Sequence, residues 1–176
     1  MSLAGITPGK DAPSVFNVVI EIPMRSDPVK YEVDKETGAL FVDRILNTAM
    51  HYPTNYGYVP QTLAEDGDPV DVLVMTPFPL FSGSVVKCRP LGVLIMRDEA
   101  GEDQKVLAVP VDKVSGGIYL NVRSIADLPE IVLKQISHFF ERYKDLEVGK
   151  WVKVDGWQDI AAAEKEIAAG MKRYTK

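Results

Sequence analysis

Asp127-Leu128-Pro129-Glu130-Ile131-Val132-Leu133-Lys134-Gln135-Ile136-Ser137-His138-Phe139-Phe140 is the stretch where the chain changes its period. An acidic residue, an early proline and a glutamate three residues on make a helix-start pattern, the capping box. Beyond it Val132, Ile136, Phe139, Phe140 and Tyr143 recur at helical spacing, which predicts an amphipathic helix ending near Asp145. A second helix fits Asp159 to Tyr174, with Ile160, Ala163, Ile167, Met171 and Tyr174 three or four residues apart.

Upstream of this point the period is two. Val29-Lys30-Tyr31-Glu32-Val33-Asp34 alternates strictly, putting Lys30, Glu32 and Asp34 on one face of a strand and Val29, Tyr31 and Val33 on the other. Val15 to Ile22, Leu40 to Ile45, Val70 to Thr76, Ser84 to Arg97, Lys105 to Val111 and Trp151 to Val154 also read as strands, separated by Gly, Pro and Asp turns. Strands first and helices last make an α+β chain, and several short strands are consistent with a small closed barrel flanked by C-terminal helices. At 176 residues one hydrophobic core is enough, so a single domain over residues 1–176 is expected.

Composition narrows the function classes. A hydrophobic fraction of 46% and a charged fraction of 26% are ordinary globular values and exclude a disordered chain. No apolar run approaches the ~18 residues needed to cross a bilayer, and Met1 to Asp11 lacks the basic flank and apolar centre of a signal peptide. Cys88 stands alone, which rules out an intramolecular disulfide and a Cys-built zinc site. A cytoplasmic protein with neither membrane nor nucleic-acid partner is expected, because a net charge of −5 repels polyanions. An anionic substrate must therefore be met by local basic groups or bound cations.

The chemistry concentrates in Glu65-Asp66-Gly67-Asp68-Pro69-Val70-Asp71-Val72-Leu73-Val74, which places three aspartates within six residues just before an apolar strand. Two like charges about 4 Å apart repel by ~1 kcal/mol even in water, so the cluster favours a bound cation. A bare Asp-Gly-Asp is more often a solvated turn, but Pro69 restricts this one and the strand holds Asp71 on a rigid element. Hard oxygen ligands point to Mg²⁺, Mn²⁺ or Ca²⁺. An EF-hand is excluded, since with Asp66 first the glycine position falls on Asp71 and the bidentate glutamate position on Pro77.

A second acidic group, Asp98-Glu99-Ala100-Gly101-Glu102-Asp103 before Lys105, sits at a turn between two strands and could serve the same cavity or be a plain hairpin turn. Thr48 to Tyr58 is dense in tyrosines, which either pack as core with wet tips or turn their hydroxyls to phosphate oxygens. Lys30, Arg44 and Lys144 are placed to join them, though each singly could be a surface charge. His51 and His138 form no ligand motif, and Cys88, between Lys87 and Arg89, is either a thiolate of lowered pKa or, as an alternating strand favours, a buried thiol.

Taken together these stretches resemble the family I inorganic pyrophosphatases of the bacterial type. Asp66-Gly67-Asp68-Pro69-Val70-Asp71-Val72 matches the family's Asp-x-Asp-Pro-x-Asp motif. Glu21-Ile22-Pro23, Lys30-Tyr31-Glu32, Phe41-Val42-Asp43-Arg44, Tyr52-Pro53-Thr54-Asn55-Tyr56-Gly57, Asp98-Glu99, Asp103-x-Lys105 and Tyr143-Lys144 extend the likeness from about Gly9 to Trp157. The resemblance implies a five-stranded OB-like barrel and an enzyme that splits pyrophosphate into two phosphates with several Mg²⁺ ions. Mn²⁺ or Zn²⁺ would substitute and Ca²⁺ would inhibit.

By position, it assigns Asp66, Asp71 and Asp103 to an activating metal, and Asp98, Glu99, Glu32 and Glu21 to metals arriving with substrate or to their waters. Lys30, Arg44, Tyr56, Lys105, Tyr143 and Lys144 would hold phosphate, with Tyr52 supporting the wall. Asp68 would be the base for a water held between two metals, and no phosphoenzyme forms. A homohexamer is implied, with Gln135, His138, Phe139 and Arg142 on the intersubunit helix. Some relatives carry a second His where this chain has Arg142, so the likeness does not extend to a two-histidine, pH-sensitive contact. The competing readings are a phosphohydrolase acting on nucleotides or other organic phosphates, a Ca²⁺-binding protein without turnover, and a non-catalytic OB-type binding module.

Overall fold

In the computed structural model, which describes residue 3 and residues 5–174, the strands close on themselves. The extreme ends of the expected 1–176 domain lie outside the described residues. The elements run β1 (Phe16–Ile22), β2 (Val29–Val33), β3 (Leu40–Ile45), β4 (Asn55–Tyr58), β5 (Asp71–Val74), β6 (Val85–Asp98), β7 (Gly101–Pro110), α1 (Asp112–Ser115), α2 (Glu130–Arg142), β8 (Val152–Gln158) and α3 (Ile160–Tyr174). Neighbours in the main sheet are β1, β4, β5, β7, β6 and β8, and β1 also pairs with β6. The ring β1-β4-β5-β7-β6 is thus the five-stranded barrel, and β8 lies on the far half of the long strand β6. Closure pairs each of the five barrel strands on both sides, leaving β8 as the edge of the sheet.

Alternation along the barrel strands sends side chains to two cores. Val72 and Val74, Val93, Val106 and Ala108 belong to one cluster, into which α3 lays Ala163 and Ile167. Their neighbours Leu73, Leu94 and Leu107 belong to a second, which α2 covers with Ile136, Phe139 and Phe140. Full burial of Phe140, 1% exposed, contributes about 2 to 3 kcal/mol. The helical periodicities at Val132, Ile136, Phe139, Phe140 and Tyr143 and at Ala163 and Ile167 are borne out, whereas Tyr174 is 50% exposed.

Four local readings are corrected. Asp127 does not cap α2. Its carboxylate accepts from the Arg123 and Ser124 backbone N–H groups and completes the capping box of a short 3-10 turn, Ile125–Asp127, whose N-cap is Ser124. Pro129 precedes α2 without a side-chain cap, and the helix stops at Arg142, short of Asp145. β4 was not expected at all, and β8 reaches Gln158, beyond the Val154 of the alternation. Hairpin β2–β3 forms its own two-stranded sheet with Leu40, Phe41, Val42 and Ile45 exposed. Cys88 is fully buried, as alternation demands.

Candidate active site

The face of the barrel that carries Leu73, Leu94 and Leu107 is apolar only under α2. Further along the same alternation stand Asp71 on β5, Asp98 on β6, and Lys105 and Asp103 on β7. Here the wall turns polar around a cavity of about 570 Å³. The register fixes one encounter: Asp71 faces Lys105 across the parallel β5–β7 pair. Lys105, 3% exposed, donates from Nζ to Asp71 Oδ2 (2.8 Å), Asp103 Oδ1 (2.7 Å) and Tyr56 OH (3.2 Å). Burial opposes its charge, but Asp103 and Asp71 outweigh that and hold the ammonium well above its ordinary pKa.

The aspartate turn supplies a second wall. Gly67 adopts φ 93°, a left-handed conformation open to glycine, and lets the Asp68 backbone N–H reach Asp66 Oδ1 at 3.0 Å. Thr62 accepts from the Val70 N–H at 2.9 Å and so anchors the return into β5. Burial raises the Asp68 carboxyl, and repulsion from Asp66, Asp71 and Glu32 raises it further.

Hairpin β2–β3 and the turn after α2 close the cavity. Lys30 pairs with Glu32 and, at 3.2 Å, with Asp43. Glu21, 4% exposed, accepts from the Val33 N–H (2.8 Å) and from Lys35 Nζ (3.1 Å), and burial raises its pKa. Lys144 Nζ donates to Asp98 Oδ2 at 2.7 Å. Tyr143 stacks on Phe139 at 5.3 Å and Tyr52 packs against both Tyr56 and Phe139. Burial lifts the Tyr56 and Tyr143 phenols, so both stay neutral donors at physiological pH.

All the residues expected at the site line this cavity except two. Tyr52 packs behind it against Tyr56 and Phe139. Glu99 lies outside it, 2.5 Å from Lys150 and 3.6 Å from Lys144. Burial would raise the Glu99 carboxyl, but the hydrogen bond from Lys150, backbone N–H groups and Lys144 bring it down to about 2. Glu102 lines the cavity as part of the second acidic group, and Asp34 and Lys35 also line it but were missed. Asp34 stood on the polar face of the alternating strand, which was the available signal; Lys35, in the following turn, gave none.

Acidic side chains outnumber basic ones in this wall, and the donors are hard oxygens. Among the described residues no three acidic, His or Cys side chains converge into a ready-made cage. The Lys105 ammonium instead separates Asp71 from Asp103. Hard oxygen donors arranged in this way suit a divalent cation whose shell is completed by water. The repulsion gathered on Asp68 is what a divalent cation would relieve.

Comparison with known proteins agrees with this geometry. The profile of the inorganic pyrophosphatases matches residues 18–175. An inorganic pyrophosphatase of Yersinia pestis is 61% identical over 176 residues, covering 100% of both chains. The Escherichia coli K12 inorganic pyrophosphatase is 60% identical over 98% of each chain. The crystal structure of the Thermus thermophilus inorganic pyrophosphatase superposes with a TM-score of 0.92 at 45% identity, covering 100% of both chains. With motif, barrel and cavity in agreement, the chain belongs to the family I inorganic pyrophosphatases.

Proposed function

We propose that this protein hydrolyses inorganic pyrophosphate to two orthophosphates with Mg²⁺, through one domain spanning residues 1–176. The observation that carries the reading is the single cavity in which an excess of carboxylates is interleaved with Lys30, Arg44, Lys105 and Lys144. A polyanion entering alone would meet net repulsion there; accompanied by divalent cations it meets oxygen ligands and phosphate-binding cations together. A nucleic-acid role is disfavoured by the same charge balance.

In this reading Asp66, Asp71 and Asp103 hold the activating metal. Asp98, Glu32 and Glu21 serve the ions that arrive with substrate, and Glu99 acts behind them on Lys144. The bound ions supply an acidified water and neutralise charge on the phosphates. Asp68 takes the proton of the attacking water. A general base so placed contributes about 10²- to 10⁴-fold. Lys30, Arg44, Tyr56, Lys105, Tyr143 and Lys144 hold and orient phosphate oxygens, Arg44 by a planar fork and the lysines as point charges. Mn²⁺ or Zn²⁺ substitutes, while Ca²⁺, which wants more ligands and a looser shell, inhibits.

No helix among the described residues is long and apolar enough to cross a membrane. We place the protein in the cytoplasm, in keeping with a lone, buried cysteine. We also infer a homohexamer. In support, Phe41, Val42, Ile45, Phe78 and Phe81 are 57–87% exposed and His138 sits on the open face of α2.

Phosphate release from pyrophosphate, ATP and p-nitrophenyl phosphate, with Mg²⁺ or with chelator, tests the reading. Fast, chelator-sensitive release from pyrophosphate alone is expected. Preference for either organic phosphate would move the protein to the broader phosphohydrolase class.

A further inference from the structure

Arg44 on β3 approaches Glu147, which lies in the turn that follows α2. Arg44 Nη1 is 3.5 Å from Glu147 Oε2, and the side chains are 33% and 12% exposed. Arg44 lines the cavity and Glu147 does not. One side of the guanidinium therefore opens toward the cavity, and the carboxylate holds it from the closed side.

The pair is incomplete. Arg44 Nε and Glu147 Oε1 are both buried without a hydrogen-bond partner among the described residues. A guanidinium facing a carboxylate usually makes two parallel bonds. Here one long contact is made and the second prong is not. Buried ionic atoms left unpaired cost free energy, so the contact makes little sense as a stabilising ion pair.

Its place in the chain supplies another reason for it. Arg44 is paired with Lys30 across the β2–β3 hairpin. The Glu147 backbone N–H donates to the Lys144 carbonyl at 2.9 Å, so Glu147 belongs to the turn that aims Lys144 and Tyr143. That hairpin lies outside the barrel sheet, and Glu147 links its basic residues to the turn.

We propose that Glu147 is a positioning residue: it locks Arg44 of the hairpin to the turn carrying Lys144, so that the two cations face the cavity at a fixed separation. The proposal rests on the reading of Arg44 as a substrate-holding group. It requires Glu147 to act through Arg44, a dependence that simple structural support does not share.

A double-mutant cycle with E147Q, R44K and the double variant, read as kcat and KM for pyrophosphate at saturating Mg²⁺, tests it. R44K should raise KM roughly tenfold, and E147Q about fivefold with kcat nearly unchanged. The double variant should be little worse than R44K alone, because the lysine lacks the guanidinium that Glu147 orients. E147D, which keeps the charge with a shorter reach, should fall between wild type and E147Q. Kinetics of E147Q equal to wild type, or losses that multiply in the double variant, would overturn the role of Glu147 while leaving Arg44 in place. Collapse of the E147Q fold in a thermal melt would make Glu147 a structural residue and overturn it too. An unaffected R44K would remove Arg44 from the substrate site, and the proposal with it.

Discussion

Lys105 and Asp71 face each other in the register of the barrel's parallel pair and meet at 2.8 Å, Nζ to Oδ2. The fold thereby places a buried ammonium among carboxylates assigned to metal. Its positive charge balances Asp71 and Asp103 where no metal is bound.

Replacement of Lys105 by Met follows from this arrangement. Without metal, Asp71 and Asp103 lose their shared partner, and breaking a buried pair costs about 3 to 5 kcal/mol. Urea melts in chelator should show that loss. Mg²⁺ should then raise the melting temperature of K105M by more than it raises that of wild type, since ligand binding to the folded state is stabilising. Equal shifts in the two proteins would contradict the pairing of ammonium and metal.

A different carboxylate contributes to acid stability. The Glu99 carboxyl lies near 2 in the folded protein, against 4.5 for an ordinary glutamate. A depressed folded pKa contributes stability above about pH 4.5, and that contribution fades as pH falls toward 2. Since the Glu99 side chain is 25% and Lys150 39% exposed, solvent screening reduces the effect to about 1 kcal/mol. In metal-free protein, E99Q should be less stable than wild type at pH 7 and nearly equal to it at pH 2. A gap that persists undiminished in acid would show that the ion pairs are not its source.

Gly57 tests how β4 holds Tyr56. A Cβ at Gly57 would lie 2.0 Å from the Val19 carbonyl oxygen, a backbone atom of β1 that cannot yield cheaply. G57A should cost about 3 kcal/mol and lower pyrophosphate turnover through misplaced Tyr56. Wild-type stability would mean that β1 and β4 are free to separate.

The same glycine explains what the sequence withheld. Asn55-Tyr56-Gly57-Tyr58 carries Asn and Gly, residues depleted in strands, and its pairing is dictated by close approach to β1 and not by alternation. Alternation did expose β2, and helical spacing exposed α2 and α3, because each turns one face to a core. The cap of α2 was misread because Asp127 serves both patterns, and only the fold shows which backbone N–H groups its carboxylate meets. For the site, the aspartate motif is local and legible. Glu147 is not, since its partner Arg44 lies on a distant hairpin and the contact exists only after folding. Glu99 follows Asp98 in sequence, yet it lies in the turn beyond β6, where its carboxylate meets Lys150.

Pyrophosphate turnover and Mg²⁺ binding in Asp68→Asn, measured side by side with wild type, test whether this cavity is the seat of hydrolysis. D68N should fold and bind metal comparably while turnover falls by about 10²-fold or more. Undiminished turnover in that variant would contradict the central claim that Asp68 and its cavity carry the reaction.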